Sequence, residues 1–147
     1  MNLFKANRRD KPAVKVGTVS VFGPWDGRVD LEGAWLPESV WTGGRLVHSN
    51  FKHSGLQRAN LEGADLTDAV AVNADFQDAN LVQAVLVRTD LKGATFCGTD
   101  LLNAVFDGAD LRGADLSGAK NLTLAQLANA KCDESTLLPP YITLQIP

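Results

Sequence analysis

Large apolar residues recur every five positions in this chain, without a slip, from Leu31 to Leu116. Taking each as the centre of a unit gives 18 consecutive units; twelve centres are Leu, four are Phe, and Trp41 and Ala71 are the exceptions. Two residues before each centre the side chain is small, Ala in 11 units and Ser, Thr, Gly or Val in the other seven. Asp or Asn stands just before the centre in ten units, and Gly stands two after it in eight. A period of five suits neither regular element. An amphipathic helix needs apolar residues at i, i+3, i+4 and i+7, and a helix would spread these centres in every direction. A short extended stretch places i−2 and i on one side. A turn must then follow within the same unit, and Gly with Asp/Asn supplies it. Extended piece and turn, repeated with one side always inward, make a coil with walls.

The "A(D/N)LxG" units, as in "DGADLRGADLSGAK", resemble the pentapeptide-repeat family. The resemblance covers residues 29–118. It implies an all-β solenoid, a right-handed quadrilateral parallel β-helix with four pentapeptides per coil and the centre and small residue turned inward. Eighteen units then make about four and a half coils, a rod about 22 Å tall at a coil spacing of about 4.8 Å. Centres 20 residues apart stack in ladders, such as Leu36, Leu56, Phe76, Phe96 and Leu116. Each buried Leu or Phe contributes roughly 1.5–3 kcal/mol, an ample core for a narrow rod. Ala71 is the weak rung, leaving a gap in its ladder unless Phe51 leans into it.

Three regions are expected: residues 1–28 as a basic arm and cap, 29–118 as the β-helix, and 119–147 as a helical cap with an extended tail. A solenoid must cover its end edges. In "NLTLAQLANA", Thr123 and Gln126 form a capping-box pair, and Leu124, Leu127 and Ala128 share one helical face. The reading is a short helix over 124–130, a short C-terminal α-helical cap laid on the last coil. Pro139-Pro140 bars a helix beyond it, so the tail is expected to pack back in extended form. At the other end, Val14/Val16 and Val19/Val21 keep the five-residue phase. They fit a degenerate first coil or a separate cap strand kinked at Gly17, and Trp25 and Trp35 are expected to seal this end.

Composition excludes several classes of function. With 45% apolar and 21% charged residues the chain is a folded globular type, and no apolar run reaches the 18 or so residues of a membrane span. The N-terminus lacks a signal peptide's apolar core, which makes cytoplasmic the expected location and a membrane partner unexpected. Cys97 and Cys132 read as free thiols. His48 and His53, near adjacent corners, lack a carboxylate or thiolate to complete a metal shell. Ser49 and Ser54 fill inward positions. Asp65, Asp75, Asp90, Asp100, Asp110 and Asp115 should face outward and bond to the turns. No phosphate loop, zinc pattern or nucleophilic triad is present. The expectation is a chain that is not an enzyme, with no catalytic residues, cofactor or metal.

The outward positions carry the functional reading. Val82 and Leu102 follow stacked centres; Val85 and Val105 precede stacked centres on the next wall, with Val87 and Val47 beside them. Together they form a candidate apolar interaction strip. Three occupants fit it: the chain's own N- or C-terminal segment, a second copy in a homodimer, or another protein. The basic arm, with Lys5, Arg8, Arg9 and Lys11, precedes an acidic body: residues 1–28 sum to +4 and residues 29–118 to −7. Direct nucleic-acid binding by the arm is not expected, since a solvated tail has the same composition. The first functional reading is a non-catalytic protein-interaction or scaffold module. The alternative, which the resemblance supplies, is a duplex-DNA mimic modulating DNA gyrase or topoisomerase. Duplex DNA carries one charge per 1.7 Å or so, about 13 over such a rod. The body's −7 is spread over the four walls as −1, −3, −2 and −1, with no acidic stripe and no projecting loop.

Overall fold

The hydrogen bonds of one unit explain why the chain coils. The structure is a computed structural model and describes residues 28–143. In every unit the N–H three after the centre donates to the centre's carbonyl, closing a tight turn, as Ala64 does to Leu61 at 3.0 Å. The centre's own N–H and the one two after it reach forward to the next coil: Leu61 to the carbonyl of Asn80, and Gly63 to that of Val82. The N–H just before the centre reaches back, as Asn60 does to Ser39 at 2.8 Å. Four of five donors are thus satisfied by backbone. The fifth, one after the centre, faces outward at the turn. In all ten units with Asp or Asn before the centre, that side chain takes it, from Glu32 N–H on Asp30 to Ser117 N–H on Asp115. This is the Asx-turn chemistry expected of those residues.

Seventeen of the 18 turn residues two after the centre have positive φ, among them Gly98 at 71° and Arg88 at 51°. A negative φ followed by a positive one, closed by an i to i+3 bond, is the arrangement of a type II turn. Ten of the seventeen are not glycine, so the coil tolerates strained backbone where the bonds between coils hold it.

Bridges between residues 20 apart, all parallel, give four walls. The first carries Leu31, Phe51, Ala71, Leu91 and Leu111; the second Leu36 to Leu116; the third Trp41, Leu61, Leu81 and Leu101; the fourth Leu46, Leu66, Leu86 and Phe106. Each wall meets its neighbour coil through a single bridged residue per rung, so the right-handed quadrilateral β-helix contains no extended strands among the described residues. Every centre is buried, most of them completely. Phe76 and Phe96 stack face to face, centroids 5.2 Å apart and 10° from parallel, close to the coil spacing. Phe51 stands edge-on to Trp41 at 6.1 Å. Trp41 is accepted at a centre because Ser39, two residues earlier, takes its indole N–H at 2.7 Å inside the core. Replacing Ser39 with Ala should leave that donor unpaired and lower stability by about 1–3 kcal/mol, measured by urea unfolding.

The C-terminal edge is closed differently from the sequence expectation. Helix α1 spans only Leu124–Leu127, with Thr123 and Gln126 forming a full capping box. None of its side chains is buried, and Leu124 is 37% exposed rather than packed inward. The apolar plug is Leu122, one residue before the cap. Gln126 seals the edge: its Nε2 donates to the carbonyls of Leu101 and Ala104, both at 2.8 Å. Beyond α1 the chain winds on irregularly, Lys131 bridging Asp110 and Leu137 bridging Asp115. Pro139-Pro140 does not prevent a helix. Pro140 starts α2 (Pro140–Thr143), where its fixed φ suits the first turn and its missing N–H is not needed. There Ile142 is buried, and the Tyr141 hydroxyl donates to Ala119 O and accepts from Leu122 N–H. At the other end, Trp35 does not seal the rod. Its ring lies along the outer wall over Gly55, where a Cβ would come within 2.6 Å of it. Trp25 and residues 14–21 lie outside the described residues.

Candidate interaction surface

The outer faces are built from three positions of each unit: one before the centre, one after and two after. On the fourth wall the residue before the centre runs Arg45, Asp65, Val85, Val105 up the rod, each bridged to the next. Val85 and Val105 occupy the slot that holds a turn-bonding Asp or Asn in ten other units. Their units give up that bond: among the described residues, the N–H groups of Val87 and Asp107 have no side-chain acceptor. At the corner between the third and fourth walls, Val82 lies below Leu102. Leu102 is 45% exposed and Val105 36%, while Val82, Val85 and Val87 are half-buried. Val47 is half-buried in the column of Val87, two coils below it, with Thr67 between them. Lys5, Arg8, Arg9 and Lys11 lie outside the described residues.

Gln126 ties α1 to the carbonyls of Leu101 and Ala104 at the corner between the third and fourth walls, and Leu124 of that helix is exposed.

Charged side chains pair on the faces around the rod, some one coil apart and some within a unit. At the corner between the fourth and first walls, Arg88 grips Asp68 of the coil below through two bonds of 2.7 Å, and His48 Nδ1 lies 4.0 Å from the same carboxylate. Arg58 pairs likewise with Glu38 at 2.6 Å. On the first wall Arg112 binds Asp110 through Nε at 2.9 Å and Nη2 at 2.6 Å. The guanidinium holds the Asp110 carboxyl at about 2, below its usual 3.8. A depressed carboxylate pKa adds stability above about 3.8 that is lost as pH falls toward 2. The loss between pH 5 and pH 2 should be at most about 2 kcal/mol. In Asp110→Asn, which keeps an acceptor for Arg112 N–H, this part of the pH dependence of urea unfolding should vanish.

The other polar candidates do not assemble. His53 is exposed, and among the described residues no three His, Cys, Asp or Glu side chains gather as a metal would require. Ser49 and Ser54 are buried and bonded to backbone, Ser49 Oγ accepting from Val29 N–H at 3.1 Å and Ser54 Oγ donating to Phe51 O at 2.7 Å. Cys97 and Cys132 are free and exposed.

With four walls and an unbroken five-residue phase in place, comparison with known proteins is decisive on one point. The model of the family described as pentapeptide repeats matches residues 49–86 and 84–120, in 8 copies. The chain belongs to the pentapeptide-repeat family. No curated protein matches it. Among solved structures it is similar to a pentapeptide repeat protein from the cyanobacterium Cyanothece 51142, at 27% identity and a TM-score of 0.35, over 75% of this chain and 64% of that one. It is also similar to HetL, a pentapeptide repeat protein involved in heterocyst differentiation regulation from Nostoc sp. strain PCC 7120, at 25% identity and a TM-score of 0.32, over 77% and 63% of the two chains. A third is full-length QnrB1, a plasmid-mediated fluoroquinolone resistance protein, at 16% identity and a TM-score of 0.31, over 76% and 78%. The chain thus spans less than two thirds of the length of the first two. No helix among the described residues of this pentapeptide-repeat protein is long and apolar enough to cross a membrane.

Proposed function

We propose that this pentapeptide-repeat rod is a non-catalytic recognition module that takes an extended apolar segment of a partner protein along the upper part of its fourth wall. One observation carries the reading: Val85 and Val105 replace a side chain that would both satisfy a turn N–H and favour water. Giving up that bond for a half-buried Val85 and an exposed Val105 is unfavourable to the isolated rod, and a partner covering the site offsets it. The size of the wall favours a short segment over a second copy. A wall about 10 Å wide and about 22 Å high is far below the ~800 Å² per partner of a stable protein interface. Free, exposed Cys97 and Cys132 suit a reducing compartment, so the proposed setting is the cytoplasm.

The DNA-mimic reading meets an obstacle in the ion pairs. Glu38, Asp68, Asp90 and Asp110 are each matched by Arg58, Arg88, Lys92 or Arg112, which thins the acidic field a duplex mimic needs. Selection from a peptide-display library tests the proposal. The rod should enrich peptides with alternating apolar residues, and Val85→Asp/Val105→Asp should weaken their binding by about tenfold or more. Equal binding by the double variant overturns it. Light scattering showing a dimer that the double variant dissociates replaces the peptide with a second copy. Inhibition of gyrase supercoiling by the rod would favour mimicry.

A further inference from the structure

Where the slot before a centre holds neither Asp nor Asn, the outward turn N–H one after the centre is left open. Among the described residues Thr42, Val47, Gln57, Val72 and Cys97 are open singly, because an Asp or Asn takes the matching group one coil above each. Val87 and Asp107 differ. Their N–H groups are open in consecutive coils of one column, about 4.8 Å apart and turned the same way. Val85 and Val105 stand on the same two rungs, so two free donors and two aliphatic side chains lie together. An occupant that matches this surface brings acceptors as well as apolar groups.

Resting on the reading of this strip as the recognition surface, we propose that the partner segment is held by its main chain. Two of its backbone carbonyls accept from Val87 and Asp107 N–H, supplying from outside the turn bond that Asp or Asn supplies in other units. An extended chain laid along the rod presents the carbonyls of residues i and i+2 on one edge, about 6.8 Å apart. Each meets its donor with a sideways offset of about 1 Å, a tilt of about 20°, which an ordinary N–H···O bond tolerates. The next donor down the column, Thr67 N–H, is already taken by Asp65 Oδ1 at 3.0 Å, so the contact is limited to two bonds. A carboxylate is the competing acceptor, and charge disfavours it. Asp68 and Asp107 carry carboxylates of their own beside the pair, and the Arg88 guanidinium is held by Asp68 through two bonds of 2.7 Å. Neutral backbone carbonyls avoid that repulsion. With carbonyls turned to the wall, the side chains of the segment alternate left and right. One set lies over Val85, Val105 and Leu102 and is apolar; the other lies toward Arg88 and Asp107 and is polar or basic. The narrow wall suits a single strand of this kind.

The probe is a short peptide alternating valine with threonine or lysine, acetylated and amidated, titrated into the full chain and followed by NMR. Without peptide the Val87 and Asp107 amides should exchange with solvent at close to unstructured-peptide rates; protection already present there overturns the proposal. At saturating peptide both should slow at least about tenfold, while Val72 and Cys97 stay unchanged. Shifted Val85 and Val105 methyl signals with unaltered exchange at Val87 and Asp107 would keep the apolar contact and overturn the backbone bonding. No binding at all would remove the recognition reading, and this one with it. Two variants then separate the bond from the surface. Val105→Asn should close the Asp107 N–H from within, as Asp and Asn do in other units, and weaken peptide binding at least about tenfold. Val105→Thr also makes the surface polar but leaves the N–H open, as Thr95 does for Cys97, and should weaken binding by about threefold or less. Equal losses in the two variants overturn the proposal.

Discussion

Phe96→Ala should lower the stability of the rod by about 3–5 kcal/mol, read as a fall in the urea midpoint. Phe96 is fully buried, with Phe76 stacked beneath it at 5.2 Å and Leu116 above it in the same ladder. In a globular core, neighbours from several directions can relax into the space. Here the walls are tied rung to rung: Phe96 N–H donates to Asp115 O, and Phe76 N–H to Thr95 O. The coils cannot close the gap without breaking those bonds, so the cost belongs at the upper end of the range. The lesion also lies mid-rod, where each coil touches only its neighbours. A reduced dependence on urea, alongside the lower midpoint, would show the coils on either side melting separately.

Gln126→Leu should have the next largest effect, about 2–4 kcal/mol, together with end-to-end association of the rods. One side chain closes three backbone groups: its Oε1 accepts from Thr123 N–H at 2.9 Å, and its Nε2 reaches the carbonyls of Leu101 and Ala104. Leucine matches the size but bonds to none of them. The helix is a single turn with no buried side chain of its own, so it has little else to hold it in place. Once it lifts, the fourth wall presents an unpaired edge, which self-associates unless covered. Light scattering as a function of concentration should show wild type at constant mass and the variant growing. A variant equally stable and of constant mass would place the seal elsewhere, with Leu122 and Ile142.

What the sequence shows of the rod is what repeats. The inward ladders follow from the phase of the centres. So does the turn role of the Asp and Asn residues, because the same local bond recurs in every unit that has one. What escaped reading occurs once. Nothing in the local pattern tells that Trp35 turns outward; the cue is Gly55, 20 residues later, the one unit where the wall offers a bare backbone for a ring to lie on. The tail failed to read because its bridges sit 21 and 22 residues from their partners, at Lys131 and Leu137, so the register that decodes the body is lost. Proline acts as a barrier inside a helix, whereas Pro140 begins one, which the dipeptide Pro139-Pro140 alone does not tell. The ion pairs Glu38–Arg58 and Asp68–Arg88 were legible in principle, as opposite charges one coil apart in one column. The strip was visible as aliphatic side chains in outward slots.

The bonding of every wall residue to partners one coil away limits how a gene for such a protein can lengthen or shorten. Losing a single codon inside residue range 49–86 would throw every later centre into the outward slot before it, and every later aspartate that precedes a centre into the inward small-residue slot. Cutting out twenty codons at once, residues 69–88 for example, would leave each ladder meeting a like residue across the splice. Rods of this kind are therefore free to grow by whole storeys, while the smallest slip in reading frame of the fold is lethal to it.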